Sequence, residues 1–276
     1  MTNHSRRRFL GNLSTLVPLG AFAYLFPNAL LAAPPAEAPA DPLLGLDPNS
    51  RDFAIKALER LDDMYRGKSS HGLMEMEVKT KHWTRQIAME SWSLGEDYSL
   101  VKIVFPKKEA GTATLKAKDD LYTYLSKTGR TIKITGGMMG GSWMGSHFTN
   151  DDLVQGARLS DDFEISRETS LETPDTYVFR AVPKPDAAVV WGKIDATLRR
   201  SDLQPVQQLF YDEDGELSRK MSYGDIKTIS GKTLPTRIRM EPVDKPGEYT
   251  EMRQKKVEFD VALDESFFTL QKLRSL

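Results

Sequence analysis

From about residue 70 onward the chain carries roughly a dozen runs rich in β-branched and aromatic residues, spaced about 10–15 residues apart. Met74, Met76 and Val78 alternate with Glu75, Glu77 and Lys79, the period of a half-buried strand. Further strands are expected over 82–94, 98–105, 112–118, 121–125 and 130–135. A second group is expected over 157–168, 175–182, 189–198, 205–212, 217–229, 232–241 and 249–259. Turn residues punctuate them: Gly95-Glu96-Asp97, Lys127-Thr128-Gly129, Asp212-Glu213-Asp214-Gly215, Ser230-Gly231 and Pro246-Gly247. Strands and helices do not alternate, which argues against a parallel α/β sheet. No repeat of fixed period is present. The simplest architecture is mainly β (α+β): a single curved, half-closed antiparallel sheet or partial barrel, with helices packed on its open face.

One long helix precedes these strands. Ser50 is a suitable cap, and Ala54, Leu58, Leu61 and Tyr65 recur on one face before Gly67 stops the helix. A short helix is expected after Thr149-Asn150. The tail at Asp264-Glu265-Ser266-Phe267-Phe268 reads as a capped turn.

Composition narrows the function classes. Hydrophobic residues make up 39% and charged residues 28%, enough apolar material for a folded core. The formal net charge of −1 argues against a general nucleic-acid binder. No cysteine is present, which excludes disulfides, Cys-ligated metal centres, thiol nucleophiles and a lipid anchor on an N-terminal Cys.

The N-terminus reads as an export address. Ser5-Arg6-Arg7-Arg8-Phe9-Leu10 matches the twin-arginine pattern, an apolar run covers 16–33, and small residues follow up to Ala40. Two prolines, Pro18 and Pro27, weaken that run as a membrane span. The expected organisation is a signal and cleavage zone over 1–40, a flexible leader over 41–49 and one domain over 50–276. Cleavage is expected between Ala32 and Asp41, with Ala38-Pro39-Ala40 and Ala32 as the candidate sites; removal of residues 1–40 takes away Arg6, Arg7, Arg8 and Glu37 and leaves a formal charge of −3. A periplasmic location follows from this reading.

The segment 136–148 is unusual for a loop. It holds five glycines with Met138, Met139, Trp143, Met144 and Phe148. Its apolar side chains either fold back onto the core or form an adaptable apolar gate at the mouth of a cavity. No Gly-Lys-Ser/Thr ending follows, so a phosphate loop is disfavoured.

Catalytic constellations are not evident. His71, His82 and His147 lack paired metal-ligand spacing. Ser146, His147, Asp151 and Asp152 include triad residue types, but no nucleophile elbow surrounds Ser146. The acidic groups Asp62-Asp63, Asp161-Asp162 and Asp212-Glu213-Asp214 lack EF-hand spacing and read as solvated turns. No catalytic residue, metal or cofactor is expected. Lys107-Lys108 and Arg199-Arg200 are small basic doublets that suit ordinary surface charge or anionic head groups. Trp83, Trp92, Trp143 and Trp191 would suit a greasy wall, but Trp83 and Trp92 have opposite strand parity. One of the two must face outward or be displaced by a bulge.

The segment from Trp143 to Leu153 resembles the Gly-Ser-Asp-Phe-Thr-x-x-Asp-Leu stretch of the LolA-like group, a bacterial family of outer-membrane lipoprotein-sorting proteins. Asp63-Met64-Tyr65-Arg66-Gly67-Lys68-Ser69 resembles the end of that family's opening helix, and Met74-x-Met76-x-Val78 its first strand. Tyr211 to Leu217 resembles a late hairpin, and Phe267-Phe268-Thr269-Leu270 the C-terminal Phe-Thr signature. The likeness spans about residues 50–272; His147 stands where the family usually has Asp.

The resemblance implies a half-closed sheet whose inner surface forms an apolar cavity for lipid or lipoprotein acyl chains. It also implies a non-enzymatic carrier working with a membrane transporter or outer-membrane acceptor, in peripheral rather than integral membrane contact. On this reading Met138, Met139, Trp143, Met144, Phe148, Trp92, Leu58 and Leu61 form the cavity and its gate. A lipid- or envelope-stress sensor of the same fold and an exported enzyme are the alternatives.

Overall fold

A computed structural model describes Leu43 and residues 45–154, 159–187 and 189–275. The export signal expected over 1–40 lies outside the described residues. Within the segment expected as a leader, Leu43 is buried against the core. Arg167 donates to the Pro48 carbonyl and to Asn49 Oδ1.

Helix α1 (Arg51–Asp63) starts at Ser50, whose hydroxyl oxygen accepts the Phe53 N–H at 3.1 Å. Phe53, Ala54, Ala57, Leu58 and Leu61 form its buried face. The chain leaves it through Gly67, whose φ of +61° lies in the left-handed region.

Among the described residues, thirteen strands form one antiparallel sheet. The first group is β1 (Ser69–Lys79), β2 (Thr84–Leu94), β3 (Tyr98–Phe105), β4 (Ala113–Ala117), β5 (Asp120–Leu125) and β6 (Arg130–Ile134). The second is β7 (Phe163–Arg167), β8 (Thr176–Pro183), β9 (Lys193–Arg199), β10 (Pro205–Tyr211), β11 (Leu217–Ile229), β12 (Lys232–Pro242) and β13 (Tyr249–Phe259). Between the groups lie two 3-10 turns and the short helices α2 (Asn150–Val154) and α3 (Leu159–Asp162). Helix α4 (Leu270–Ser275) closes the chain.

The strand order is β6-β5-β4-β3-β2-β1-β13-β12-β11-β10-β9-β8-β7. Each group is therefore a meander, and the first and last strands join them at the centre. Among the described residues the edges β6 and β7 do not pair, so the sheet is open there. The sequence between these two edges is the Gly/Met-rich segment with α2 and α3.

Alternation along each strand separates two apolar layers. On one face, Met76, Val78, Ile87, Met89, Ile103, Phe179 and Leu198 pack with α1. On the other, Tyr98, Leu100, Ala113 and Leu115 pack with Phe268 and Leu273 of the tail. Met74, Met76 and Val78 share the helix-covered face. The register there absorbs one extra residue on β13, since Leu73 faces Lys256 while Met74 faces Gln254.

Three local expectations change. The run expected as a strand over 157–168 is instead α3 followed by β7. Lys184 Nζ donates to the Ser160 and Asp161 carbonyls, and Leu159 N–H donates to Asp62, so tertiary partners hold this turn in a helix. The tail extends past its capped turn into α4, where Thr269 Oγ1 accepts the Lys272 N–H. The Trp83 parity conflict disappears because Trp83 precedes β2, in the hairpin where Thr80 N–H donates to its carbonyl, and is 44% exposed.

Candidate ligand-binding cavity

The helix-covered face of the sheet lines a half-open cavity of about 450 Å³, within the range of small-molecule sites. Met74 of β1, Val101 of β3, Phe210 of β10, Ile238 of β12 and Met252 of β13 contribute to its apolar wall. Leu61 of α1 and Leu153 of α2 border it from the helices. Unbranched methionines suit such a wall because they adapt to irregular apolar shapes.

The Gly-rich segment is tied down at several points. Trp143 is buried, and its Nε1 donates to Thr114 Oγ1 on β4 at 3.1 Å. Arg85 of β2 donates to the Met144 carbonyl at 2.5 Å and pairs with Glu109. The His147 ring contacts Thr250 Oγ1 at 2.8 Å and Glu248 at 3.3 Å. Glu248 also accepts the Lys81 N–H; that bond, together with His147, holds its carboxyl below the usual range. Ser146 Oγ engages the Phe148 backbone, so Ser146 and His147 each have other partners.

The eight residues expected at the site divide as follows. Leu61, Trp143 and Phe148 line the cavity. Trp92 borders it between Ser91 and Ser93, but its ring stacks on His71 at 5.2 Å and meets Phe267 on the opposite face. Leu58 is buried in the core one turn of α1 from Leu61. Met144 packs on the core, Met139 is half-buried, and Met138 is exposed.

The cavity also holds a polar set that the sequence reading did not place there. Arg219 of β11 grips Asp152 of α2 with both terminal nitrogens, at 2.8 and 2.5 Å. Its guanidinium lies 4.1 Å from the Trp191 ring and 4.4 Å from that of Phe210. Burial raises the neighbouring Asp151 carboxyl; Asp152 adds to the effect and Arg219 opposes it. On α1, burial pushes Asp62 up to about 7 although Arg66 pulls it down. Asp62 accepts the Leu159 N–H of α3 at 3.3 Å. Burial also raises the phenols of Tyr65 and Tyr223. Tyr65 donates to the Pro235 carbonyl and Tyr223 to Gln208.

Asp62 makes stability depend on pH in a definite direction. Its folded value of about 7 lies above its ordinary 3.8. Between these values the folded chain holds a proton that the unfolded chain has released, so this contribution falls as pH rises and is lost above the folded value. Asp62→Asn is expected to raise stability by about 2 kcal/mol at about pH 8 and to change little at about pH 4. Paired urea titrations at the two pH values check this.

Among the described residues, no group of three or more His, Cys, Asp or Glu side chains could hold a metal ion. None of the described helices is long and apolar enough to cross a membrane.

Comparison with known proteins places this geometry. A family model described as "Uncharacterized protein" matches residues 95–275. A DUF1329 family protein from Desulfovibrio piger superimposes with a TM-score of 0.71 at 21% identity, covering 83% of this chain and 100% of that one. A domain from Vibrio parahaemolyticus described as outer membrane lipoprotein-sorting gives 0.68 at 21% identity, covering 82% and 100%. A LolA superfamily protein from Nitrosomonas europaea gives 0.66 at 23% identity, covering 79% and 98%. The chain thus has the LolA-like fold, as the sequence motifs implied. A search of the curated proteins returns no match.

Proposed function

We propose, since the chain belongs to the "Uncharacterized protein" family matched over residues 95–275 and has the LolA-like fold, that it is a non-enzymatic periplasmic carrier of lipid or lipoprotein acyl chains. The observation that carries this reading is the largely apolar cavity between the sheet and the α1 and α2 helices. A carrier must bind its cargo and also release it, so its roof has to open more easily than its floor. The floor is a continuous ladder of strands, whereas the roof is built from α1, two short helices and a glycine-rich segment. Trp143 and Phe148 place that segment against the cavity, and the exposed Met138 marks its outer side. Cargo would pass between a membrane transporter and an outer-membrane acceptor. Phe105, 58% exposed beside Lys107 and Lys108, suits peripheral contact with such a surface.

Filling the cavity tests the reading. Ile238→Trp and Met252→Trp each place an indole ring in the wall and are expected to lower uptake of a fluorescent acyl-chain ester about tenfold. Far-UV circular dichroism should stay unchanged. Undiminished uptake in both folded variants would show that cargo binds elsewhere.

A further inference from the structure

We propose that the cavity selects an electrically neutral amphiphile carrying an ester or hydroxyl oxygen, in preference to a fatty-acid anion or a cationic amphiphile. This inference rests on the carrier reading above and names the class of cargo. Three observations support it.

The first is a spare donor. Arg219 lines the cavity, is 5% exposed, and has a buried Nε with no hydrogen-bond partner among the described residues. Both of its terminal nitrogens are taken by Asp152. Its charge is therefore matched while one N–H remains to be satisfied, a demand that an uncharged acceptor oxygen meets.

The second is the balance of charge. Arg219 lies against Asp152, and Arg66 acts on Asp62. An anionic head group entering this space would also face Asp151 and Asp152, and a cationic one Arg66 and Arg219, while Asp62, pushed up to about 7 by burial, carries only part of its charge at neutral pH. Either would bring an unmatched charge out of water, which a neutral head group avoids.

The third is a row of hydroxyls fixed by strand register. Ser70 of β1 stands opposite Ser93 of β2, which stands opposite Ser99 of β3, and all three line the cavity. The Ser70 and Ser93 hydroxyls are 2.7 Å apart. Hydroxyls both donate and accept, so they can solvate an alcohol or ester without supplying charge.

The test uses three probes with the same twelve-carbon chain: 1-monolauroylglycerol, laurate and dodecylamine. Each is titrated below its micelle concentration at neutral pH, with Trp143 and Trp191 in the cavity wall as fluorescent reporters. The glycerol ester is expected to bind about tenfold more tightly than either charged probe. Ser93→Ala and Arg219→Lys should each reduce that preference about threefold. Arg219→Lys keeps a cation for Asp152 but loses the Nε donor, and Ser93→Ala supplies an independent reading should that variant fold poorly. Equal binding of the three probes, tighter binding of a charged probe, or an unchanged preference in Ser93→Ala would overturn the inference and leave the carrier reading standing. Failure of all three probes to bind would overturn the carrier reading and this inference with it.

Discussion

Arg219→Ala should destabilise the protein by about 3 kcal/mol, because it removes a buried guanidinium and leaves its half-buried carboxylate partner in the cavity wall. Asp152 keeps the Thr149 N–H at 2.7 Å, so its carboxylate is not wholly stranded. The Trp191 and Phe210 rings, which meet edge to face, lose the guanidinium packed on both and the cover it provides. Urea unfolding of Arg219→Ala, Asp152→Ala and the double variant separates these effects. A coupling energy of about 1–3 kcal/mol is expected from the cycle. Additive losses would mean that Arg219 acts through packing alone.

Leu58→Ala should cost a similar amount, about 3 kcal/mol, for a different reason. Leu58 is 1% exposed on the buried face of α1, in the same cluster as Met76, Val78 and Phe179. Truncation leaves a void that surrounding strands, fixed by their ladders, close only in part. For a chain of this size the loss corresponds to a fall in melting temperature of about 6–12 °C. Leu61, one turn on, borders the cavity. Loosening α1 should therefore also speed ligand release, which a stopped-flow displacement measurement would detect. A fall of less than about 2 °C would mean that α1 is not anchored through this contact.

The sheet was legible because its strands carry their own signal. Tyr98–Phe105, Leu217–Ile229 and Tyr249–Phe259 coincide with the runs of β-branched and aromatic residues. The capped helix α1 was legible for the same reason: Ser50 and the spacing of Ala54, Leu58 and Leu61 are local features. What joins distant segments was not legible. Asp152 and Arg219 meet only because the strand order brings β11 beneath the helix that follows the Gly-rich segment. Nothing local marks Arg219 as buried or Asp152 as its partner.

Asp62-Asp63 shows the same limit within two residues. Asp63 is exposed, as a turn acid should be. Asp62, one position earlier, points beneath α3, where the Leu159 N–H meets it. The Trp92 ring illustrates a third case. Its parity is set by Ser91 and Ser93, which face the cavity and so turn the ring to the opposite face, where the C-terminal tail covers it. The LolA-like motifs conveyed the architecture but not these pairings, because each landmark is a local stretch that names no partner on a distant strand.

Carriage of an apolar ligand in the cavity is the central claim, and native mass spectrometry of the purified protein incubated with a total lipid extract tests it most directly. A stoichiometric adduct of amphiphile mass is expected, and it should disappear in Ile238→Trp. Protein that remains free of adduct while keeping its native charge-state distribution would contradict the account.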